Sequence, residues 1–512
     1  MSQQRLRLGT RRSALARAQS SQVARRLESL HPGLQVESVG IDTRGDRILD
    51  TPLSQVEGKE FFTAEIDAAL LRGDVDLTVH SFKDLSLDRP AAFCLAAVPE
   101  RENPRDIALF APDVMVRIAA GATLRIGTSS PRRAAFVPDF LRRALPGAAL
   151  VELVELRGNV DSRLRRLLEP RGSARQLDGV VLAFAGLARL WQDDEGRALL
   201  KQLLVDLPRM LLPLTMCPAA PAQGALAIEC RSEDARTRRI LAAIEHAPTR
   251  AAVATEREML AARGGGCHQQ FGATQLSVAG LGSLLRWREA EASGAQSQLR
   301  WSPSTPLPAP GRVTGHWDGS ASPAAEPVPV AGMTQLCADA LATAPATFIA
   351  HRHALPRFDS DLSADQVNRC RHIWVPGTAT WFALAQRGLW VEGCAEGLGF
   401  DSLESTLTAP LLQLPASHAW LVLTHEAAAA GWRSANVLTT YRSRAAPGHP
   451  PGSASHVFWH SAAQFEHWRE SLSAGVHHAC AFGKTAVHLR RAGVATLTVF
   501  PSALEWRQWL IS

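Results

Sequence analysis

The sequence predicts an α/β fold made of several domains. The chain has 512 residues, which is too long for a single hydrophobic core, so three or four domains are expected. Strand-like segments, in which apolar and polar residues alternate, take turns with helix-like segments, and this order is typical of parallel or mixed sheets covered by helices. The pattern restarts after Gly121 and again at about Phe348. We therefore expect three successive α/β regions.

The first region holds five predicted elements in the order β-α-β-α-β. They are a strand at 6–10, a helix after Ser13, a strand at 34–41, a helix at about 63–72 and a strand at 74–79. Ser13 is expected to cap the first helix, and Val23, Leu27 and Leu30 fall on one apolar face of that helix. In such a sheet, ligands bind where the carboxyl ends of the strands open into loops.

The second region is predicted from a similar set of segments. Its strands are expected at 124–126, 150–156 and 178–184, and a helix follows the cap formed by Thr128 to Ser130. Three prolines, Pro213, Pro218 and Pro221, then interrupt regular structure. The elements predicted after them are a strand at 225–230, helices from about Ala235 and Thr249, and a hairpin at 284–301.

A proline-rich stretch separates these regions from the tail of the chain. Its prolines are Pro303, Pro306, Pro308, Pro310, Pro323, Pro327 and Pro329. They predict a linker or a long irregular segment. Beyond it, strands alternate with helical stretches and are expected at 348–351, 372–375, 420–423, 437–441, 457–460 and 479–482.

Composition excludes several classes of protein. The net charge is +6 and four of the 55 basic residues are lysine, but the basic residues are dispersed, so no nucleic-acid partner is expected. No apolar run is long enough to span a bilayer and the amino terminus lacks the apolar core of a signal peptide, so a cytoplasmic location without membrane contact is expected. The eight cysteines form no C-x-x-C pair, which indicates reduced thiols and no metal site.

Two stretches combine residues that carry chemistry. In the first, Val79-His80-Ser81-Phe82-Lys83-Asp84, an ammonium and a carboxylate lie side by side at the end of a predicted strand. In the second, Gly264-Gly265-Gly266-Cys267, three glycines allow the backbone to bring a thiol close to a ligand. Neither stretch is specific by itself.

Further motifs share the order and approximate spacing of one enzyme family. They are Arg11-Arg12-Ser13, Thr43-Arg44-Gly45-Asp46, Gly127-Thr128-Ser129-Ser130-Pro131-Arg132-Arg133, Leu156-Arg157-Gly158-Asn159-Val160 and Gln223-Gly224-Ala225. With them, residues 5–300 resemble hydroxymethylbilane synthase, also called porphobilinogen deaminase. The resemblance implies two periplasmic-binding-protein-like lobes, at 1–105 with 220–242 and at 106–219. It also implies a small α+β third domain at 243–302 that carries the cofactor cysteine.

The resemblance also implies roles for individual residues. Cys267 would hold a covalent dipyrromethane cofactor through a thioether, and Asp84, with Lys83, would be catalytic. Asp84 would stabilise the cationic azafulvene that forms when porphobilinogen loses ammonia. Other residues implied to contact the cofactor are Lys83, Asp84, Thr128, Ser129, Ser130, Arg132 and Arg133. Residues implied to contact the substrate are Arg11, Ser13, Gln19, Lys59, Phe62, Arg157, Arg163 and Arg189, with Asp46 as a further contact. A monomer is expected.

The tail resembles a second family. Val375-Pro376-Gly377-Thr378-Ala379-Thr380, Thr440-Tyr441-Arg442-Ser443, His460-Ser461-Ala462 and Phe482-Gly483-Lys484-Thr485-Ala486 are similar to motifs of uroporphyrinogen-III synthase. This implies an α/β domain at 346–512 after a linker and helix at 303–345, with Tyr441, Thr378, Ser461 and Thr485 near a second site. The tail is then either a second enzyme, which cyclises the linear product with inversion of its last ring, or a purely structural domain.

Three alternatives remain open from the residues alone. A hinged pair of α/β lobes is also the plan of modules that bind small anions, which would need no thiol at Cys267. A nucleic-acid binder would show a patch of basic and aromatic residues. A metal could bind at His351-Arg352-His353 if these residues form a strand that places both imidazoles on one face, but no third ligand is in register.

Overall fold

The computed structural model describes most of the chain. The described residues are 4–43, 63–266, 269–291, 294–318, 326–358, 362–370, 372–429, 431–432, 436–444, 454–473 and 475–512. They form two compact units. The first comprises Met1–Arg142, Ala149–Leu276 and Leu285–Leu299, and the second comprises Arg143–Ala148, Ser277–Leu284 and Arg300–Ser512.

The first half of the chain alternates strands and helices. Its first elements are β1 (Gln4–Arg11), α1 (Ala14–Leu30), β2 (Leu34–Ile41), α2 (Ala64–Arg72), β3 (Leu77–Ser81) and β4 (Phe93–Ala97). They are followed by β5 (Asp106–Phe110), α3 (Val114–Ala119), β6 (Leu124–Gly127), α4 (Pro131–Ala144), β7 (Val151–Val154), α5 (Val160–Arg165), β8 (Gly179–Ala183), α6 (Phe184–Gln192), α7 (Asp194–Leu204) and β9 (Arg209–Leu211). The last are β10 (Leu226–Arg231), α8 (Ala235–Leu241), α9 (Ala247–Ala261), β11 (Phe271–Val278), β12 (Gly282–Glu291) and β13 (Gly294–Pro303).

Two five-stranded mixed sheets define the two lobes of the first unit. The first has the order β2-β1-β3-β10-β4 and the second β7-β6-β8-β5-β9. In the first, β1 is parallel to β2 and β3, and β10 is antiparallel to β3 and β4. In the second, β6 is parallel to β7 and β8, and β5 is antiparallel to β8 and β9.

Strand β10 returns to the first lobe after the whole second lobe has been completed. The chain therefore crosses between the lobes twice, once between β4 and β5 and once between β9 and β10. This confirms the expectation that 225–230 rejoins the first sheet. The loop at the carboxyl end of β3 lies beside these crossings, since Ser81 pairs with Leu226 at the start of β10.

The first lobe packs an apolar face of α1 against its sheet. Val23 and Leu27 are buried with Leu6, Leu8 and neighbouring strand residues, as the periodicity predicts. The prediction for Leu30 is wrong, because Leu30 is the last residue of α1 and its side chain is 39% exposed. The Ser13 cap is confirmed: its Oγ accepts a hydrogen bond from the backbone N–H of Ala16 at 3.3 Å.

The second unit contains two further sheets. Its elements are β14 (His316–Trp317), β15 (Glu326–Pro329), α10 (Met333–Thr343), β16 (Thr347–Ile349), α11 (Ala364–Asn368), β17 (Ile373–Val375), α12 (Thr378–Ala385), β18 (Gly393–Cys394), α13 (Glu404–Leu407), β19 (Leu421–His425), α14 (Glu426–Ala429), β20 (Asn436–Arg444), β21 (His456–Trp459), α15 (Ala462–Trp468), β22 (His477–Ala481), α16 (Lys484–Arg491), β23 (Leu497–Phe500) and α17 (Ala503–Leu510). The sheet orders are β15-β20-β19-β16-β17-β18 and β14-β21-β22-β23.

Two expectations about the second half need correction. The proline-rich stretch contains two edge strands, because β14 pairs with β21 and β15 pairs with β20, and proline is tolerated at the edge of a sheet. Residues His351 and His353 do not lie on a strand, since β16 ends at Ile349 and a 3₁₀ turn covers Arg352–Ala354. Within the described part of the chain, no helix is both long and apolar enough to cross a membrane.

Candidate active site between the lobes of the first unit

The segment that follows β3 exposes one carboxylate. Phe82–Asp84 form a single 3₁₀ turn in which the Phe82 side chain is buried and Asp84 is exposed. The backbone N–H of Phe82 donates to the carbonyl of Ala225 at 3.1 Å, which ties the turn to the second crossing. The fold therefore holds the backbone of this turn and leaves the carboxylate of Asp84 accessible.

Lys83 lies beside the second crossing. Its Nζ donates to Oε1 of Gln223 at 3.3 Å. Burial lowers the pKa of Lys83, and the neighbouring charge of Asp84 partly opposes this shift. Gln223 in turn donates through Nε2 to Oδ1 of Asp106 at 2.8 Å. Lys83 is thus linked through one amide to a carboxylate of the second lobe.

Asp106 forms ion pairs with two adjacent arginines of the predicted site, Arg132 and Arg133. Its Oδ2 accepts from Nη2 of Arg132 at 2.7 Å and its Oδ1 accepts from Nη2 of Arg133 at 2.8 Å. Burial raises the pKa of Asp106, but the charges of both guanidinium groups outweigh burial and lower it below its ordinary value. Both arginines are buried, and their Nε atoms have no hydrogen-bond partner among the described residues.

The remaining arginines of the second lobe approach the same region. Arg163 donates through Nε to the carbonyl of Gly158 at 2.7 Å. Burial lowers the pKa of Arg163 to about 10, helped by the charges of Arg133 and Arg157 and opposed by Asp84. Arg163 of the second lobe and Asp84 of the first are therefore close enough to influence each other electrostatically.

Arg157 and Arg189 make different local contacts. Arg157 donates through Nε to Glu155 at 3.1 Å. Arg189 is buried, and its Nη2 donates to the carbonyl of Gly224 in the second crossing at 2.5 Å. Burial lowers the pKa of Arg189 to about 10. Arg189 thus contacts the backbone of the crossing.

Three hydroxyl residues shape the start of α4. Thr128 is buried, and its Oγ1 accepts from the N–H of Ser130 at 3.2 Å. The Oγ of Ser130 accepts from the N–H of Arg133 at 3.4 Å, and Ser129 between them is half-buried. The helix begins at Pro131, as proline at a first helical position permits.

The predicted contacts on the first lobe lie on β1 and α1. Arg11 is the last residue of β1 and Ser13 caps α1, as described above. Gln19 is buried, and its Nε2 donates to Oγ of Ser81 at 2.9 Å, immediately before the turn that carries Asp84. Cys267, Lys59, Phe62 and Asp46 lie outside the described residues.

The glycine loop before Cys267 reaches the Asp84 segment. Gly264, Gly265 and Gly266 all have positive φ angles, of 81°, 69° and 92°. A Cβ atom added at Gly265 would stand 2.7 Å from Cδ1 of Leu87. The glycine therefore lets the loop pack closely against the chain that follows Asp84.

Arg257 of α9 is a neighbour of the site that the sequence analysis missed. Its Nη1 donates to the carbonyls of Phe82 and Leu85, at 3.1 Å each, and its Nη2 to the carbonyl of Ser86 at 2.8 Å. No motif signals this arginine, because its partners are backbone atoms more than 170 residues earlier. Asp106 was also missed, although a charged residue opening the apolar run of β5 is a usable signal.

The residues around Asp84 fit a cofactor that carries several carboxylates. The charges of Arg132 and Arg133 act on Lys83, and the charge of Arg133 also acts on Arg163. The buried Nε–H groups of Arg132 and Arg133 have no partner among the described residues, so they offer further donors. Such a cluster favours polyanionic ligands, because each guanidinium binds a carboxylate in a planar fork.

The four residues singled out in the tail divide between its two sheets. Thr378 begins α12 and Tyr441 lies on β20, whereas Ser461 caps α15 and Thr485 lies in α16. Tyr441 is buried, and burial raises its pKa to about 12. The rings of His351, His353 and His425 surround Tyr441, with centroids at 6.2, 6.3 and 5.7 Å.

Lys484 joins the two sheets of the tail. Its Nζ donates to Asp401 Oδ2 and to the carbonyl of Gly431, at 3.1 Å each, and lies 4.6 Å from the ring centroid of Trp432. Lys484 begins α16 beside the four-stranded sheet, whereas Gly431 and Trp432 lie between β19 and β20 of the six-stranded sheet. The carboxyl ends of β19 and β22 therefore face a common region.

Slightly more than half of the chain is similar to known proteins. A family model described as "Porphobilinogen deaminase, dipyromethane cofactor binding domain" matches residues 6–239. The porphobilinogen deaminase of Trichlorobacter lovleyi is 43% identical over 267 residues, which cover 52% of this chain and 77% of that protein. That of Syntrophotalea carbinolica is 41% identical over 316 residues, covering 58% and 92%. That of Xanthomonas oryzae pv. oryzae is 44% identical over 263 residues, covering 51% and 78%.

Proposed function

The chain belongs to the porphobilinogen deaminase family, and on this premise we propose that it is a hydroxymethylbilane synthase, a transferase that joins four porphobilinogen molecules into a linear tetrapyrrole. The observation that carries the proposal is the position of Asp84, on the first lobe, next to Lys83, which is linked through Gln223 and Asp106 to Arg132 and Arg133 of the second lobe. An exposed carboxylate beside several buried cations is what a reaction between polyanionic pyrroles requires.

The cations would hold the substrate and the growing chain. Each porphobilinogen brings an acetate and a propionate group, so negative charge accumulates as the product grows. Arg11, Arg157, Arg163 and Arg189 are proposed to bind substrate carboxylates together with Ser13, Gln19, Lys59 and Phe62. Several of these groups are partly desolvated, which strengthens their interaction with an incoming anion. A guanidinium group is a planar fork of donors, whereas an ammonium group is a point charge. The arginines would therefore also orient the bound carboxylates in a plane.

The dipyrromethane cofactor would be held next to these substrate-binding cations. We propose that the Cys267 thiol carries it through a thioether, while Lys83, Arg132, Arg133 and Thr128 to Ser130 bind its acidic side chains. When bound, the cofactor supplies a pyrrole carbon to which the first substrate unit is joined. We retain the division into lobes at 1–105 with 220–242 and at 106–219, and a cofactor-cysteine domain at 243–302, as part of the proposal.

Asp84 is proposed to act on the reacting pyrroles. When ammonia leaves porphobilinogen, positive charge spreads into the pyrrole ring and its N–H group. A carboxylate beside that N–H stabilises the charge and can accept the proton that is lost when the new bond has formed. The 3₁₀ turn and the carbonyl contacts of Arg257 hold Asp84 without using its carboxylate.

The experiment that tests this function is the intact mass of the purified full chain. We expect a mass above that of the polypeptide by one dipyrromethane and conversion of porphobilinogen to hydroxymethylbilane. Cys267→Ser should lose both. Cys230→Ser is the matched control, because this thiol is buried beside Cys94 on a strand and should leave the adduct in place. An unmodified chain that turns over at full rate contradicts the proposal, and an unmodified chain without turnover supports an anion-binding module instead.

For the tail, residues 346–512, we propose a second activity: uroporphyrinogen-III synthase. Support comes from the buried Tyr441 and from Lys484, which brings the ends of two sheets together. Thr378, Ser461 and Thr485 would contact the linear tetrapyrrole. Because the linear product is unstable, a second site on the same chain would shorten its time in free solution.

The test of the second activity is the ring isomer that the full chain forms from porphobilinogen. We expect the type-III isomer, and we expect Tyr441→Phe to shift the product towards the type-I isomer that forms without an enzyme. Consumption of porphobilinogen should be unchanged in this variant. A type-I product from the unaltered chain would show that the tail is structural.

A further inference from the structure

The segment that carries Asp84 ends at an arginine that is enclosed by two carboxylates. The guanidinium of Arg89 donates from Nη1 and Nη2 to both oxygens of Asp67, at 2.8 Å each. It also donates from Nε and Nη2 to both oxygens of Glu229, at 3.0 and 2.7 Å. The side chains of Arg89, Asp67 and Glu229 are 13%, 9% and 2% exposed. Two bidentate pairs in so buried a place are geometrically specific as well as strong.

The same carboxylate also contacts the start of the segment. His80, on β3, has its Nε2 3.6 Å from Oε2 of Glu229 and 3.0 Å from Oγ1 of Thr78. Asp67, His80 and Glu229 together form the one group of three candidate metal ligands found within the described part of the chain. The Arg89 guanidinium occupies the place of a cation there, so this cluster is filled by the protein itself.

The segment between His80 and Arg89 is therefore fixed at both ends to β10, because His80 pairs with Ala227 in the sheet and Arg89 donates to Glu229. Between these ends it exposes Asp84 on one side. On another side, Leu87 packs against the backbone of Gly265, two residues before Cys267. A shift of Arg89 would move both the carboxylate and the surface that supports the glycine loop.

We propose that Arg89 is a positioning residue. It fills the site made by Asp67, Glu229 and His80, and it thereby fixes the place of Asp84 relative to the glycine loop. This inference rests on the proposed hydroxymethylbilane synthase function. Arg89 itself would contact neither substrate nor cofactor. The carboxylates of Asp67, on α2, and Glu229, on β10, would anchor it.

The charges in the cluster agree with this role. Burial lowers the pKa of His80 to about 4, so its imidazole is neutral at pH 7. Burial also lowers the pKa of Arg89, but the hydrogen bonds that Arg89 donates to Asp67 and Glu229 outweigh burial and raise the pKa above its ordinary value. The charge of Arg11, on β1, also acts on His80 and lowers its pKa further. The guanidinium is thus the cation that compensates the two carboxylates.

The experiment compares three variants of the full chain in steady-state kinetics, intact mass and thermal unfolding. Arg89→Lys keeps the charge but cannot form two bidentate pairs. We expect it to fold, to carry the dipyrromethane adduct and to lose kcat on the order of tenfold or more, because a displacement of about 1 Å has effects of this size. Its KM should stay within about twofold, since Arg89 does not bind substrate.

Arg89→Ala opens a space of the size of a guanidinium ion. We expect added guanidinium chloride, at concentrations below those that unfold the protein, to restore part of kcat, whereas equal concentrations of urea and of sodium chloride should not. The matched control is Arg171→Lys, in which the altered guanidinium bridges Asp113 and Asp178 of the second lobe. This control should leave kcat unchanged.

Three results would contradict the role of Arg89 as a positioning residue. Arg89→Lys with the kcat of the unaltered chain overturns the inference, as does a loss in Arg89→Ala that guanidinium fails to restore. Complete unfolding of both variants at the assay temperature also overturns it, because Arg89 would then hold the lobe together rather than the segment. If the unaltered chain itself forms no hydroxymethylbilane, the proposed function fails instead.

Discussion

The carboxylate of Glu256 accepts two hydrogen bonds from the guanidinium of Arg101, at 2.6 and 3.0 Å. Glu256 lies on α9 and is fully buried, and Arg101 belongs to the first crossing between the lobes. The same carboxylate accepts the N–H groups of Ala222, in the second crossing, and Gln275, on β11, at 2.7 Å each. One side chain therefore joins both crossings to the helix that precedes the glycine loop.

We predict that Glu256→Gln lowers the free energy of unfolding by about 3–5 kcal/mol, because it leaves a buried guanidinium without its counter-charge. Chemical denaturation of the full chain measures this loss of stability from the unfolding transition of the first unit. The control is Glu37→Gln, which removes an exposed ion pair with Arg5 and should change the stability by about 0–1 kcal/mol. Equal effects of the two substitutions would contradict the role assigned to Glu256.

Gly224, in the second crossing, is predicted to tolerate no side chain. Its φ is +87°, and a Cβ atom there would stand 2.4 Å from the carbonyl oxygen of Glu102 in the first crossing. Because this neighbour is backbone, the two crossings would have to separate. We expect Gly224→Ala to give little soluble protein, or protein whose melting temperature is many degrees lower.

Gly33 provides the matched control for this substitution. It has a similar φ of +89°, but no atom in the described part of the chain lies within 4 Å of an added Cβ atom. Gly33→Ala should therefore show only the strain of a left-handed backbone, about 1–2 kcal/mol. If Gly224→Ala is no more damaging than Gly33→Ala, the crossings are not packed as described.

Local patterns in the sequence predict the elements of the first region well. The cap at Ser13 and strand β2 follow from short-range patterns, and the return of β10 to the first sheet is implied by the family resemblance. Strand β5 is missed because it is buried along its whole length and shows no alternation. Strands β14 and β15 are missed because prolines next to an edge strand resemble those of a linker.

The candidate site could be predicted only in part, for a physical reason. Asp84 and Lys83 belong to a motif, so their place at the end of β3 follows from the local sequence. The partners that hold them do not: Gln223 is 140 residues from Lys83, and Asp106 is 27 residues from Arg133. Long-range pairs of this kind depend on how the two lobes pack together, and no periodic pattern in the sequence encodes that packing.

His477 makes the stability of the second unit depend on pH. Its ring stacks on that of His456, with centroids 5.3 Å apart, and its Nε2 lies 2.9 Å from Oγ1 of Thr498. Burial lowers the pKa of His477 below its ordinary value, helped by His456 and His478. As the pH falls below about 6.5, the unfolded chain binds this proton more readily than the folded chain, so the stability falls.

We therefore expect the melting transition of the second unit to be flat above pH 7 and to shift to lower temperature between pH 6.5 and 5. His477→Gln should reduce this slope, because an amide can still bond to Thr498 and does not titrate in this range. His418→Gln, which alters an exposed side chain, is the control and should keep the slope. A slope that is identical in all three proteins would show that other groups control the acid sensitivity.

The carboxylate of Asp84 is predicted to be needed for turnover and not for folding. It is exposed at the end of a 3₁₀ turn whose backbone is held by Arg257 and by the carbonyl of Ala225. Asp84→Asn keeps the size of the side chain and removes its charge, and Asp84→Glu keeps the charge and moves it by one methylene. We expect both to fold like the unaltered chain and to lose kcat by about 10²–10⁴-fold, the range for a positioned acid–base group.

The comparison of Asp84 with its neighbour Asp88 isolates the effect of position. Asp88 is also an exposed acidic residue, four residues further along the same segment. Asp88→Asn should reduce kcat by less than about twofold, because the largest charge effects on Lys83 and Arg163 come from other groups, Asp84 among them. If both substitutions reduce kcat equally, the loss reflects the net charge of the segment. A specific loss in the Asp84 variants, with unchanged melting temperatures, indicates a carboxylate that acts on the reacting groups.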